Sequence, residues 1–234
     1  AILLLLMLIV IVVLLSKVLP VFNEIYMSLG GQLTGITVLT EAGPYDMDCD
    51  ALLLAPGHSA RDTFAMLQET GVPMEKKMFA IGVRIEHKQE TVDRAQYGEP
   101  NSVLPPSDYK LVKHLEDATV YTFCMCPGGY VVAAASEEGR VVTNGMSYAD
   151  REGENANAAL LVTVNPQEFP YEGALGGMYW QREIEEKAYK VSGSYKAPAQ
   201  KVGDFLNHVA STGAGEVQPM CQNGIQPHGG NHNM

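Results

Sequence analysis

"ATVYTFCMCPGGYVVAAASEEGRVVTNGMSYADREGENANAALLVTV", residues 118–164, decides how the body of this chain folds. Its apolar runs are short, rich in Val, Tyr and Thr, and broken by tight glycine clusters. That grammar predicts strands rather than helices. Turns fall at Pro127-Gly128-Gly129 and Glu137-Glu138-Gly139, so the first part gives three short strands, and "ALLVTV" at 159–164 gives a further one. Upstream, "MFAIGVRIEH" (78–87) has strand character and "QETVDRAQYG" (89–98) forms a short helix ended by Gly98. Downstream, residues 171–193 form a long helix with Met178, Ile184 and Ala188 on one side, and "APAQKVGDFLNHVA" (197–210) holds a last short one. From Thr212 the chain turns to Gly, Pro, Asn, Gln and His, the composition of a mobile tail.

Toward the N-terminus, "GITVLT" gives a strand at 36–40 and "EAGPYDMD" a turn cluster. "CDALLLA" gives a second strand running into Pro56-Gly57, and "SARDTFAMLQETG" a helix with Ser59 as N-cap and Gly71 as stop. Strand, glycine turn and capped helix make half of a βα nucleotide-binding layer. No G-x-G-x-x-G and no G-x-x-x-x-G-K-S/T occurs, so no complete phosphate cradle is encoded. The fold class is mixed α/β or α+β.

Residues 2–15 are uniformly apolar, Ser16 and Lys17 interrupt, and residues 18–22 resume around Pro20. A spanning helix takes roughly 20 apolar residues, so residues 1–22 are expected to enter a membrane. A signal peptide lacks its basic start and small-x-small site here, and an all-round apolar helix is rare inside a small domain. The division is therefore an apolar helix at 1–31, a body at 36–210 and a flexible tail at 211–234. Net charge is -11, which makes nucleic acid an unsuitable partner. Four cysteines, one close pair and two singletons, make no disulfide framework and suit a reducing, cytoplasmic body.

Candidate site residues come from four places. Ala55-Pro56-Gly57 ends a strand in a turn that lets a ligand approach the backbone. His58 and Ser59 stand side by side, with capping the better role for Ser59 because no nucleophile elbow surrounds it. Cys124 and Cys126 are two apart on a strand, hence on one face: a redox pair, or two buried small residues. Asn144, Gly145, Ser147, Arg151, Asn155 and Asn157 share one irregular stretch, suited equally to a polar ligand or to capping its own loops. A lone C-x-C is weak evidence for zinc, and His228 and His232 lie in a glycine-rich setting that holds no ligand geometry. No metal is expected.

Taken in order, residues 52–98, "DYKL" at 108–111, residues 121–164 and "APAQKVGDFL" at 197–206 closely resemble the bacterial FAD-dependent dehydrogenases, NAD(FAD)-utilising oxidoreductases related to the two-domain flavoproteins. The resemblance covers residues 50–206. It implies a Rossmann-like FAD domain interrupted by a substrate-type domain, with FAD and a small-molecule substrate or acceptor, and NAD(P) as a further cofactor. It sets Ala55, Pro56 and Gly57 near the flavin, and points the Cys124, Cys126, Gly128 and Gly129 motif and the stretch with Asn144 and Asn155 toward flavin or substrate. The family's N-terminal glycine-rich fingerprint and its C-terminal glycine-rich closing stretch have no counterpart in this sequence. The chain alone is therefore expected to bind FAD weakly or not at all and to be inactive by itself.

Residues 1–35 resemble another family, the F-type inner-membrane proteins of type II secretion and type IV pilus assembly. The resemblance rests on the apolar run, Leu19-Pro20-Val21-Phe22, Glu24-Ile25 and Ser28-Leu29-Gly30-Gly31. It implies an inner-membrane anchor. A membrane-tethered component without catalysis, or a reading frame joining two genes between residues 35 and 50, is the alternative.

Overall fold

The computed structural model describes residue 7 and residues 33–99, 103–221 and 224–227. The expected apolar helix at 1–31 otherwise lies outside the described residues. Among those described, no helix is long and apolar enough to cross a membrane. The chain divides into two units, residues 1–57 and 58–234.

In the first unit, β1 (Gly35–Thr40) pairs antiparallel with β2 (Gly43–Asp48), from Gly35 opposite Asp48 to Thr40 opposite Gly43. The turn is only Glu41-Ala42, and Gly43 takes φ +115°, which a residue with a Cβ rarely adopts. The turn cluster expected at 41–48 is therefore mostly strand. Its Gly, Pro and Asp residues follow the ladder offered by β1, and Thr37 Oγ1 donates to Asp46 Oδ1 across the pair at 2.7 Å. The strand expected at 49–55 does not form. Residues 51–57 have no ladder among the described residues, and Leu52, Leu53 and Leu54 stand exposed.

The second unit opens with α1 (Arg61–Glu69). Its N-cap is Ala60, and no side chain caps it. Ser59 Oγ instead bonds His58 Nδ1 at 3.1 Å, so the expected capping role of Ser59 is not realised. Next come β3 (Phe79–Lys88) and α2 (Gln89–Tyr97), stopped as expected by Gly98 at φ +85°. Then follow β4 (Val112–His114), β5 (Thr119–Cys126), β6 (Gly129–Ala133), β7 (Thr143–Ser147) and β8 (Asn155–Val164). α3 (Gly176–Ser192) ends at Gly193 in the left-handed region, and β9 (Ala197–Ala199), α4 (Val202–Leu206) and β10 (Ile225–Pro227) complete the order.

The central sheet is antiparallel, in the order β3-β8-β5-β4, with the β6–β7 hairpin as a separate two-stranded sheet. The fold is a mixed, strand-rich α/β arrangement of several sheets, in which β9 and β10 pair in parallel, and the strand of the expected βα layer does not form among the described residues. Phe79, Phe169 and Trp180 pack with ring centroids 5.2–5.9 Å apart, which seats α3 beside β3. A Cβ on Gly177 would lie 3.0 Å from the Phe169 ring, so this glycine lets the helix come close.

An ionic network ties α1 to α3. Buried Arg61 bonds Glu137 at 2.5 Å and Glu185 at 2.6 Å, and Arg182 holds the same Glu137 at 2.7 Å. The stretch beyond Thr212, expected to be a tail, runs back along the body at two places. β10 pairs in parallel with β9, and Val131 N donates to Met220 O at 2.9 Å.

Candidate functional site

Residues Asn155–Ala158 of β8 are all buried, although a strand with one wet face would alternate. Ala156 and Ala158 face one side of the sheet, and Asn155 and Asn157, both fully buried, face the other. Antiparallel register adds β3 side chains to the asparagine face. Glu86 stands opposite Asn157, and Arg84 opposite Ala159. The β6–β7 hairpin closes over this end. A Cβ on Gly145 would meet Arg84 Nη1 at 2.2 Å and Asn157 Oδ1 at 2.3 Å, so a side chain there would displace both.

The result is a polar row between sheet and hairpin. Arg84 Nη1 donates to Asn157 Oδ1 at 2.5 Å and to Cys124 O at 3.3 Å, and Nη2 donates to Asn144 Oδ1 at 3.3 Å. Farther along, Asn155 Nδ2 donates to Gln218 O at 2.8 Å and Glu86 Oε1 at 3.3 Å, while Met220 N donates to Glu86 Oε1 at 3.0 Å. Arg84 Nε, Asn155 Oδ1 and Asn157 Nδ2 are buried with no partner among the described residues. An unpaired buried polar atom costs about 1–3 kcal/mol, and three in one row mark a place kept for something other than packing.

The glycine turn beside the row is held by a buried glutamine. Gln89 Oε1 accepts from Gly128 N at 2.8 Å, and its Nε2 donates to Asp93 Oδ1 at 2.8 Å and Ser107 O at 2.9 Å. Gly128 takes φ +49°, and a Cβ there would lie 1.8 Å from Arg151 O. The backbone at this corner tolerates no side chain.

Of the expected site residues, Cys124, Cys126, Gly128, Gly129, Asn144, Gly145, Asn155 and Asn157 meet here. The expectation that Cys124 and Cys126 share a face is overturned. β5 changes register against β8 between Phe123 and Cys126, and Cys124 adopts φ +45° in that bulge. Cys124 is exposed and Cys126 buried. Burial pushes the Cys126 thiol up, against the pull of the Arg84 charge, and its Sγ donates to Cys124 O at 3.2 Å. Such a thiol is a poor nucleophile. Ala55, Pro56 and Gly57 belong to the first unit, where they are exposed and outside any strand.

Arg84, Glu86 and Gln89 escaped the sequence reading. The one available signal was an Arg-x-Glu inside an otherwise apolar strand pattern, "FAIGVRIEH". A shallow hollow of about 460 Å³ along α2, lined by Lys88, Glu90, Thr91, Arg94 and Ala95, lacks any such buried polar set. Among the described residues, no group of three or more His, Cys, Asp or Glu could hold a metal ion.

The row's free donors suit an acceptor-rich edge, such as the carbonyls of a flavin ring or a substrate oxygen. The pyrophosphate of a dinucleotide has no glycine-rich cradle among these 234 residues. A family model described as "FAD-dependent protein, C-terminal domain-like" matches residues 78–232. An uncharacterized protein of Clostridium beijerinckii (strain ATCC 51743 / NCIMB 8052) is 52% identical over 186 residues, which cover 77% of this chain and 35% of the relative. The chain thus spans about a third of the length of that curated relative.

Proposed function

This chain belongs to the FAD-dependent protein family whose C-terminal domain it matches, and from that premise we propose that it forms part of a flavin-dependent oxidoreductase, with the polar row as its flavin- or substrate-facing surface. The observation that carries this reading is the meeting of Arg84, Asn144 and Asn157 from three different strands, with buried donors left over. When FAD is bound it supplies the hydride chemistry. This chain's residues orient the reacting partner: Arg84 and the asparagines offer donors, Gln89 fixes the Gly128 corner, and the buried alanines of β8 keep the strand rigid from behind. Dehydrogenase direction and a nicotinamide partner are the finer part of the proposal and rest on the sequence resemblance. The pyrophosphate half of the cofactor needs a cradle from elsewhere, so the chain alone binds FAD weakly.

Visible absorption tests both halves. The purified full-length Clostridium beijerinckii relative is expected to carry a flavin band near about 450 nm, whereas this chain, mixed with equimolar FAD and desalted, is not. A colourless relative sinks the oxidoreductase reading, and a stoichiometric band on this chain sinks the divided cradle. The secretion-type reading of residues 1–35 falls mostly on residues outside those described, and neither the matched family nor the relative supports it.

A further inference from the structure

We propose that Arg84 receives the carboxylate of a small substrate at the end of the polar row, an inference that rests on the oxidoreductase reading only for the word substrate. Four arginines of the second unit have carboxylate partners: Arg61 on Glu137 and Glu185, Arg94 on Glu90, Arg140 on Glu186 and Arg182 on Glu137. Arg84, half-buried, meets only neutral groups among the described residues: the oxygens of Asn157, Asn144 and Cys124, and the Cys126 thiol. A guanidinium withdrawn from water without a counter-ion is unfavourable, and a bound anion relieves it.

The geometry of the unused donors selects the kind of anion. Nε has no partner among the described residues, and Nη2 has one acceptor at the long distance of 3.3 Å. Those two nitrogens form one edge of the guanidinium, the edge a carboxylate bridges with two parallel bonds. Asn157, fully buried, adds a second independent sign. Its Oδ1 is taken by Arg84, and its Nδ2 donor has no partner among the described residues. The neighbouring carboxylate, Glu86, is held by Asn155 Nδ2 and Met220 N instead of Arg84. That second negative charge, two residues along the strand, disfavours a phosphate dianion and favours a singly charged ligand.

The test is a nuclear magnetic resonance titration of the ¹⁵N-labelled chain, following the arginine Nε–H signals. The Arg84 signal is assigned by its loss in Arg84→Lys. Sodium acetate is expected to shift it to saturation, while sodium chloride at equal ionic strength leaves it in place. Asn157→Asp supplies an internal counter-ion and is expected to weaken the acetate response at least about tenfold. No saturable shift, an equal shift with chloride, or a tighter response to inorganic phosphate overturns the proposal. The flavin reading is judged separately, by the visible band of the relative, which acetate binding does not affect.

Discussion

Arg84 Nη1 lies 2.5 Å from Asn157 Oδ1, a bond that runs diagonally from β3 to β8. Both strands belong to the central sheet, and Arg84 Nη2 reaches on to Asn144 Oδ1 of β7 at 3.3 Å, so the same guanidinium also ties that sheet to the β6–β7 hairpin. Asn157→Ala removes the acceptor of a charged hydrogen bond and leaves the guanidinium poorly satisfied. Chemical denaturation is expected to show a loss of about 2 kcal/mol. A change below about 0.5 kcal/mol contradicts the role given to the pair.

Two glycine substitutions separate backbone strain from crowding. At Gly98, φ is +85° and no described residue lies within 4 Å of an added Cβ, so Gly98→Ala is expected to cost about 1–2 kcal/mol from conformation alone. At Gly128 the strained φ comes with the Arg151 carbonyl 1.8 Å from the new atom. Gly128→Ala is expected to cost well beyond that, and equal melting temperatures for the two variants contradict the close approach.

Acid is expected to unfold the second unit in two stages. Burial lowers the His87 pKa from its ordinary 6.5, so the unfolded chain takes up this proton first. The His87 contribution is complete above about 6.5 and is lost as pH falls below it. The Glu137 carboxylate is lowered from 4.5 to about 2, first by the Arg182 hydrogen bond and then by Arg61 against the cost of burial. Its contribution, on the order of 2 kcal/mol, is present above about 4.5 and is lost as pH falls toward 2. Glu137→Gln is expected to flatten the lower stage of a stability–pH curve and leave the upper one. His87→Phe does the reverse.

Thiol labelling tests the cysteine pair. Exposed Cys124 is expected to react with a maleimide in the native state, and buried Cys126 only on unfolding. Equal rates, followed by mass spectrometry of the digested protein, contradict the bulge that separates them.

Much of the second unit was legible because its signals are local. "QETVDRAQYG" shows helical spacing with Gly98 to end it, and the Pro127-Gly128-Gly129 turn needs only the residues that form it. The failures share a cause. "CDALLLA" is as apolar as any strand, yet a strand exists only by pairing, and these residues have no ladder among those described. "GPYDMD" looks like a turn and becomes β2 because β1 lies alongside. The site was half visible for the same reason. Asn144 and Asn155 stand out in an amide-rich stretch, but Arg84 reaches its partners across 60 and 73 residues of sequence. Nothing near Arg84 announces that. The bulge at Cys124 is equally silent, since strict alternation is the default for any strand until a register shift is seen.

The order β3-β8-β5-β4 has a consequence for synthesis on the ribosome. β8 is the last long strand made, yet it lies between β3 and β5, which are paired to each other nowhere. Until Asn155–Val164 emerges, β3 and β5 each carry an open edge and the asparagine row does not exist. The nascent chain therefore passes through a stage in which two apolar strands wait for one partner. That is the interval in which a chaperone, or a second copy of the chain, competes for them.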